Sequence, residues 1–348
     1  MRQLNGPLPS FSAIVVSHND RVNVLSCLSS LLKSNYQNFE VILVDNNSTD
    51  GTAEQVLDQF EANRRFTFVP SDRNLGLAGG CNKGARFAHG DFLAFLSSDM
   101  VVSSDWLKNL ADAAKSRESI AAIDSKIKFA HDHRLLYSLG GSMNPCGVES
   151  REGRITKGGK DAGRISEITT VFYAKLVTIR ASVFRMVGGF DPLYFLGNET
   201  RDLCWRIWLA GYEVVVAPDA VVYHVGSAVV RSMDEGLLIF HARKNMIMTL
   251  IKNYELHNVV RYLLLYLSFM GVHWFYVALK GKRGIAKGYL RAVGWIIRNK
   301  RYVCMGRIRV QQFRKVKDKI PMSHMAHLTV PFHFQALDLY SPRSLGYE

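Results

Sequence analysis

Apolar residues fall into short runs in the first part of the chain and into helical repeats in the last part. FSAIVVS (Phe11–Ser17), FEVILVD (Phe39–Asp45), FTFVP (Phe66–Pro70) and FLAFL (Phe92–Leu96) are short, β-branched or aromatic runs of buried-strand length. Between the first two, Val24, Leu25, Leu28, Leu31 and Leu32 recur at helical spacing within Val22–Lys33. Asn46–Gly51 carries turn chemistry, Thr52–Phe60 reads as a helix, and a short helix is expected near Asn82–Ala88. Strands alternating with helices at this spacing predict βαβ units and a mostly parallel α/β sheet with flanking helices. Ligands of such sheets sit at the carboxyl ends of the strands.

The middle of the chain is less regular. Gly140–Gly163 is rich in glycine and charge and reads as a flexible loop. Ala181–Val187 and Asp202–Ala210 read as helices, the second stopped by Gly211. EVVVAP and AVVYH, around residues 213–224, read as two short strands. From Gly236 the pattern becomes helical and amphipathic, which divides the chain into residues 1–235 and 236–348. The longest apolar run, LLLYLSFMGVHWFYVAL (Leu263–Leu279), makes a helix of ~26 Å, slightly short of a ~30 Å hydrocarbon core.

With 48% apolar and 21% charged residues among 348, the chain can bury a large core, and global disorder is excluded. Charge is uneven. The total is 44 basic against 30 acidic residues, yet from His241 onward there are 19 basic and 4 acidic. A near-neutral part therefore carries a strongly basic one, which favours a polyanionic partner. Basic residues there alternate with aromatic and aliphatic ones, and no nucleic-acid-binding motif is visible. The expected partner is an anionic membrane surface met by amphipathic helices, with one short membrane-inserted helix left open at Leu263–Leu279, and not nucleic acid. Packing of the same helices on the first part is the alternative. No signal-like apolar run precedes Pro7 and Pro9, so secretion is not expected. Five scattered cysteines without C-x-x-C read as reduced thiols in packed positions.

Candidate chemistry clusters at predicted strand ends. Asp45 closes a buried strand and can accept hydrogen bonds from a nucleobase or ribose; with Asn46, Asn47 and Ser48 it can equally close an Asx-turn. NLGLAGGCNKG (Asn74–Gly84) is glycine-rich and leads into a helix, a setting that suits phosphate. It has neither the ATPase P-loop order nor the G-x-G-x-x-G of a dinucleotide fold. Asp99 lies just past the fourth strand, where a carboxylate suits Mg²⁺ or Mn²⁺ shared with phosphate oxygens. Glu199 and Asp202 fall in the first turn of a helix and can act as a general base and its support, or as acids complementing the helix dipole. His224, at a strand end, can bind metal or diphosphate, or be structural.

The order of these signals resembles the family 2 inverting glycosyltransferases, and within them the rhamnosyltransferase-like branch. The resemblance rests on VVSHN (Val15–Asn19), VDNNSTDGT (Val44–Thr52), NLGLAGGCNKG, the S-S-D of Ser97–Asp99, GGFDPLYF (Gly188–Phe195), ETRDLCWR (Glu199–Arg206) and the H-x-G at His224. It covers roughly residues 10–235 and implies the A-type fold of that family. It implies that Ser17, Asn19 and Asp45 contact the nucleoside, that Asn47 is among the substrate-binding residues, and that Gly79, Asn82 and Lys83 lie near the diphosphate or sugar. Asp99 would hold Mg²⁺ or Mn²⁺ with Ser98 among the substrate contacts, and His224 would sit on the metal–diphosphate side. It further implies a nucleotide-sugar donor of dTDP or UDP type and a lipid-linked glycan acceptor at the cytoplasmic face of the membrane. The sequence departs from the family in two places. Ser97 replaces the first carboxylate of a D-x-D, and Thr200 stands where the family's base aspartate does. The base role therefore moves to Glu199, with Asp202 second. A non-catalytic, membrane-docked binding scaffold is the competing expectation.

Overall fold

Residues 7–149, 167–226 and 233–327 are described by a computed structural model. Residues 150–163 of the predicted loop and the basic tail beyond residue 327 lie outside the described residues.

Strands β1 (Phe11–Ser17), β2 (Phe39–Asp45), β3 (Phe66–Pro70) and β4 (Phe92–Ser97) form where the apolar runs predict them. They pair in parallel in the order β3-β2-β1-β4, so the order reverses at β1. Helices α1 (Arg21–Leu32) and α2 (Thr52–Phe60) connect them. Beyond β4 the sheet continues through β9 (Thr178–Arg180), β6 (Ile120–Phe129), β10 (Glu213–His224) and β5 (Met100–Val102). Here β6 and β10 are parallel, whereas β9 and β5 run antiparallel to their neighbours. Short β7 (Leu136–Leu139) and β8 (Thr169–Thr170) pair off this path with β6 and β10. Alternation along each strand splits the interior in two. Phe11, Ala13, Val15, Val41 and Leu43 pack under α1, α2 and α4 (Trp106–Ser116). Ile14, Ile42, Val44 and Leu93 face the opposite core with Phe184 of α5 (Ala181–Met186) and Trp205 of α6 (Glu199–Leu209).

Three expectations change. The helix after β3 is the glycine-rich run itself, α3 (Gly76–Gly84), not Asn82–Ala88. Its glycines bring the helix onto the sheet: a Cβ at Gly84 would lie 2.4 Å from Ile14 Cγ2, and one at Gly80 2.6 Å from Val16 Cγ1. EVVVAP and AVVYH belong to one strand, β10, whose register against β6 breaks between Ala217 and Val221. Gly140–Glu149 is packed, with bridges Gly141–Tyr173 and Met143–Glu149 and with Met143 and Cys146 buried. The cysteines are free thiols and four are buried, but Cys304 is exposed.

The packing does not break at residue 235. Helix α7 (Glu235–Asn253) buries Met246, Ile247, Met248 and Leu250 in the same core as α3 and α6. Around it lie α8 (Leu256–Leu279), α9 (Arg283–Arg298), α10 (Lys300–Phe313) and the short α11 (Lys319–Met322). A cavity of about 420 Å³ opens between the Gly188–Pro192 segment and α10, lined by Asp191, Arg206, Lys252 and Phe313 among others. None of the residues at the ends of β1, β2 and β4 lines it.

Gly84→Ala should lower stability by about 1–3 kcal/mol, because the new methyl meets two packed side chains. Gly271→Ala, in a helix interior with open space around its Cβ, should instead raise stability by roughly 0.5–1 kcal/mol. Denaturant midpoints of the two variants check the contrast.

Candidate active site

The parallel half of the sheet brings the ends of β1, β2 and β3 to one edge. Ser17 pairs with Asp45, and Asp45 with Pro70. Asp45 is buried and accepts hydrogen bonds from the amide and hydroxyl of Ser48, so it closes the Asx-turn that the sequence allowed. The β1 and β2 loops are tied together: the Thr49 amide donates to Asn19 Oδ1 at 2.7 Å, and the Asn19 amide to Ser48 Oγ at 3.0 Å. Asn19 and Asn47 both take positive φ (49° and 64°), which asparagine tolerates. Asn47 is exposed at the rim.

This edge holds polar atoms without partners. Ser17 Oγ, Asn46 Oδ1 and Ser71 Oγ are buried with no hydrogen bond among the described residues. Each such atom costs roughly 1–3 kcal/mol unless something pairs with it. Their convergence around Asp45 fits a polar ligand such as a nucleoside. Asn46 and Ser71 were not singled out as contacts from sequence; a polar residue directly after a buried parallel strand is the signal that marks both.

The Gly-rich segment behaves differently from expectation. Because α3 begins at Gly76, its unpaired amides fall there, and Gly79 lies in its first turn. The Asn82 side chain donates to Phe190 O at 2.7 Å and accepts from Phe190 N at 3.0 Å. Its amide is thus committed to the Gly188–Pro192 segment, and Asn82 moves from the substrate set to the scaffold. Lys83 Nζ donates to Pro70 O at 2.6 Å, at the end of β3.

Asp99 and His224 lie side by side. The antiparallel β5–β10 pairing sets His224 opposite Met100, and the Val225 amide bonds Asp99 O at 2.9 Å. His224 Nε2 lies 3.1 Å from Asp99 Oδ2, and Ser97 Oγ donates to Asp99 Oδ1. Burial raises the Asp99 carboxyl, but the hydrogen bond and charge of His224 and the Ser97 hydroxyl outweigh it and hold the group below its ordinary value. Ser98 donates to Asp20 Oδ2 at 2.7 Å. A second carboxylate, not anticipated from sequence, therefore stands beside the S-S-D. Among the described residues no cluster of three or more metal-ligating side chains forms. The donor set of one carboxylate and one imidazole fits Mg²⁺ or Mn²⁺ only where phosphate oxygens complete the shell.

The two acids of α6 separate completely. Asp202 is fully buried and accepts from Arg206 Nε at 2.9 Å, Lys252 Nζ at 3.2 Å, Asn253 Nδ2 at 3.2 Å and Tyr194 OH at 3.3 Å. Lys252 also bridges to Asp191 at 2.7 Å. Asp202 is a structural hub, which corrects its expected place as second base. Glu199 has the opposite character: its Oε2 is buried and has no hydrogen-bond partner among the described residues. Burial pushes its carboxyl above the ordinary value, against the lowering effects of its own amide, the Arg201 charge and the Gly197 amide. Arg201 is held by Asn198 Oδ1 at 2.6 Å and by buried Glu149 at 2.7 Å. Glu149 lies in the segment read as a flexible loop, so its role was not visible in sequence.

Helix α7 fixes the backbone leading to Glu199. Asn245 Nδ2 donates to Leu196 O at 2.9 Å and Gly197 O at 2.6 Å, Lys244 Nζ to Leu193 O at 2.6 Å, and Asn198 Nδ2 to Ala242 O at 3.1 Å. Phe195 packs in turn against Gly76, whose added Cβ would lie 2.5 Å from Phe195 O, and Asn46 Nδ2 donates to Gly76 O at 3.0 Å. The base candidate and the strand-end edge are therefore joined through α3.

Residues 12–158 match the family model described as Glycosyl transferase family 2. The poly-beta-1,6-N-acetyl-D-glucosamine synthase of Staphylococcus epidermidis is 26% identical over 212 residues, covering 61% of this chain and 49% of the relative. The chain thus spans about half the length of the curated relatives it matches. The crystal structure of S. aureus TarS 1-349 in complex with UDP-GlcNAc superposes with a TM-score of 0.57 at 17% identity, covering 88% of this chain and 89% of that one. GalNAc-T7 with UDP, GalNAc and Mn²⁺ gives a TM-score of 0.58 at 18% identity, covering 71% of this chain and 48% of that one. The fold is the glycosyltransferase A type, as the sequence resemblance implied.

The contrast between the two acids has a stability signature. Asp202→Asn should cost about 3–5 kcal/mol, because Arg206 and Lys252 stay buried without their counter-charge. Glu199→Gln should stabilise the fold at neutral pH. A raised folded-state pKa means that the protonated form is favoured in the native state, so Glu199 supports folding below its unfolded value and loses that support as pH rises through the folded one. The advantage of the glutamine should vanish at acid pH and grow towards neutrality. Urea midpoints across that range check both variants.

Proposed function

We propose that this chain is an inverting glycosyltransferase. It moves a sugar from a UDP- or dTDP-type donor, rhamnosyl donors included, to a hydroxyl of a lipid-linked glycan at the cytoplasmic face of the membrane. The setting is cell-surface polysaccharide or glycolipid synthesis. The observation that carries this reading is Glu199: a half-buried residue whose buried Oε2 has no partner among the described residues and whose pKa is raised, on a backbone held by α7 and joined to the strand-end edge. The family match over residues 12–158 and the fold likeness to enzymes solved with UDP-sugar ligands support it.

The chemistry follows from these residues. Asp45, Ser17, Ser71 and Asn46 would bind the nucleoside at the ends of β1, β2 and β3, with Asn19 and Asn47 shaping the rim. Gly79 and Lys83 lie towards the diphosphate. Asp99 and His224, with Ser98 and Asp20 beside them, would hold Mg²⁺ or Mn²⁺. That ion, when bound, supplies positive charge against the negative charge that develops on the leaving diphosphate. Glu199 takes the proton from the acceptor hydroxyl, whose oxygen bonds the anomeric carbon as the carbon–oxygen bond to the diphosphate breaks. Attack from the face opposite the leaving group inverts the anomeric centre. A base with a raised pKa works close to neutral pH, where a free carboxylate is too weak.

Transfer from a panel of UDP- and dTDP-sugars to a lipid-linked acceptor, with and without Mn²⁺, tests the reading. Glu199→Gln should lower kcat by about 10²–10⁴-fold while leaving donor-induced thermal stabilisation intact. Asp99→Ala should lose that Mn²⁺-dependent stabilisation. The acid limb of the wild-type rate profile should lie above the ordinary carboxyl value of 4.5. Full transfer by Glu199→Gln rejects the base assignment. Donor binding without transfer to any acceptor favours the non-catalytic scaffold, to which Thr200 lends its support.

A further inference from the structure

Helix α8 has two faces of opposite character. Tyr262, Tyr266, Met270, His273 and Val277, spaced by three and four residues, are buried against the protein. The His273 ring is hydrogen-bonded to Tyr289 OH of α9. The other face shows Leu256 (69% exposed), Leu264 (60%), Phe275 (58%) and Leu279 (72%), together with Val260 and Val272. Arg261 and Lys280 are the only Lys or Arg residues between Leu256 and Lys280, so 18 consecutive residues carry no full charge. A continuous apolar face of this size is unusual on a surface that meets only water.

Helix α9 continues the pattern. Ile285, Gly288, Tyr289 and Ala292 are buried. Leu290, Val293 and Ile297 form an exposed apolar stripe, and Arg283, Lys287, Arg291 and Arg298 an exposed basic stripe beside it. Leu256–Leu279 has the length and hydropathy of a membrane span, yet its inward face is already occupied by protein.

We propose that the outward faces of α8 and α9 seat the protein in the plane of an anionic bilayer. Both helices lie in the interface and neither crosses it. The apolar stripes enter the acyl boundary and the α9 basic stripe meets the phosphate headgroups, the charge complement that selects an anionic lipid surface over an apolar protein partner. This deepens the reading of a lipid-linked acceptor by naming the surface that brings the site to it. The tests need neither donor nor acceptor, so the two readings fail separately.

The full chain should co-sediment with phosphatidylcholine vesicles containing phosphatidylglycerol, and less with phosphatidylcholine alone. Phe275→Ser/Leu279→Ser, at exposed positions, should cut partitioning by about tenfold or more. Arg283→Glu/Lys287→Glu should lose the preference for anionic vesicles and its salt dependence. In a Cys304→Ser background, His257→Cys and Lys280→Cys place thiols at the two ends of α8. Both should react with an impermeant maleimide added outside sealed vesicles. Protection of one end shows a span and overturns the in-plane seat. Equal binding to neutral vesicles removes the headgroup role. Self-association without vesicle binding assigns the face to a second copy and overturns the proposal.

Discussion

The arrangement of the candidate site depends on a buried carboxylate, Asp202, whose oxygens are taken up by four donors. It gathers Arg206 from its own helix and Lys252 and Asn253 from α7, while Lys252 reaches on to Asp191. Arg206 also donates to Val187 O and Gly189 O at 2.6 and 2.7 Å. One ionic cluster thus fixes α6, α7 and the Gly188–Pro192 segment in a single geometry. Buried ion pairs add little net stability over an apolar core. They do penalise any packing in which one partner is lost, and this confines the start of α6, where Glu199 sits, to one position.

That division of labour explains why the site could be read only partly from sequence. Glu199 and Asp202 share a helical turn, and both the base role and the dipole role suit either. Only their tertiary partners separate them: among the described residues, four donors reach Asp202 and none reaches Glu199 Oε2. Asp99 and His224 are 125 positions apart, and the strand that brings them together, β5, is only three residues long. Glycine in the run after β3 reads as loop by propensity, yet Gly80 and Gly84 let α3 approach Val16 and Ile14. Tertiary closeness overrode local preference there.

The first strands were legible for the opposite reason. A parallel strand buried on both faces is apolar over most of its length, and β1 and β2 show this as runs interrupted only by Ser12 and Glu40, which pair with each other, before they end at Ser17 and Asp45. The stretch from Met100 to Leu139 holds β5, α4, β6 and β7, and none of these was drawn from the sequence. The signal for α4 was present, since Trp106, Leu107, Leu110, Ala111 and Ala114 recur on one buried face. The β6 run IAAIDSKI is interrupted by Asp124, whose carboxylate accepts from the Lys175 and Leu176 amides, a partnership with no local mark.

Helix α7 connects the two halves of the molecule. On one side it holds the Leu193–Asn198 backbone through Lys244 and Asn245. On the other it meets α9 at backbone contact, where a Cβ on Gly288 would lie 2.4 Å from Gly236 O and one on Gly236 2.5 Å from Gly284 O. Arg243 and Lys244 lie over the rings of Tyr289 and Trp295 at 5.2 and 4.8 Å. Burial pushes the Lys244 amine down to about 8, against the raising effect of Asp191. Packing this close leaves little room for α9 to slide on α7, because interiors at this density deform poorly. The exposed apolar and basic stripes of α9 and the carboxylate of Glu199 are therefore carried by one rigid block. On the proposed bilayer seat, an acceptor anchored in that bilayer would meet the proposed base at a distance that the packing of α7 against α9 holds constant.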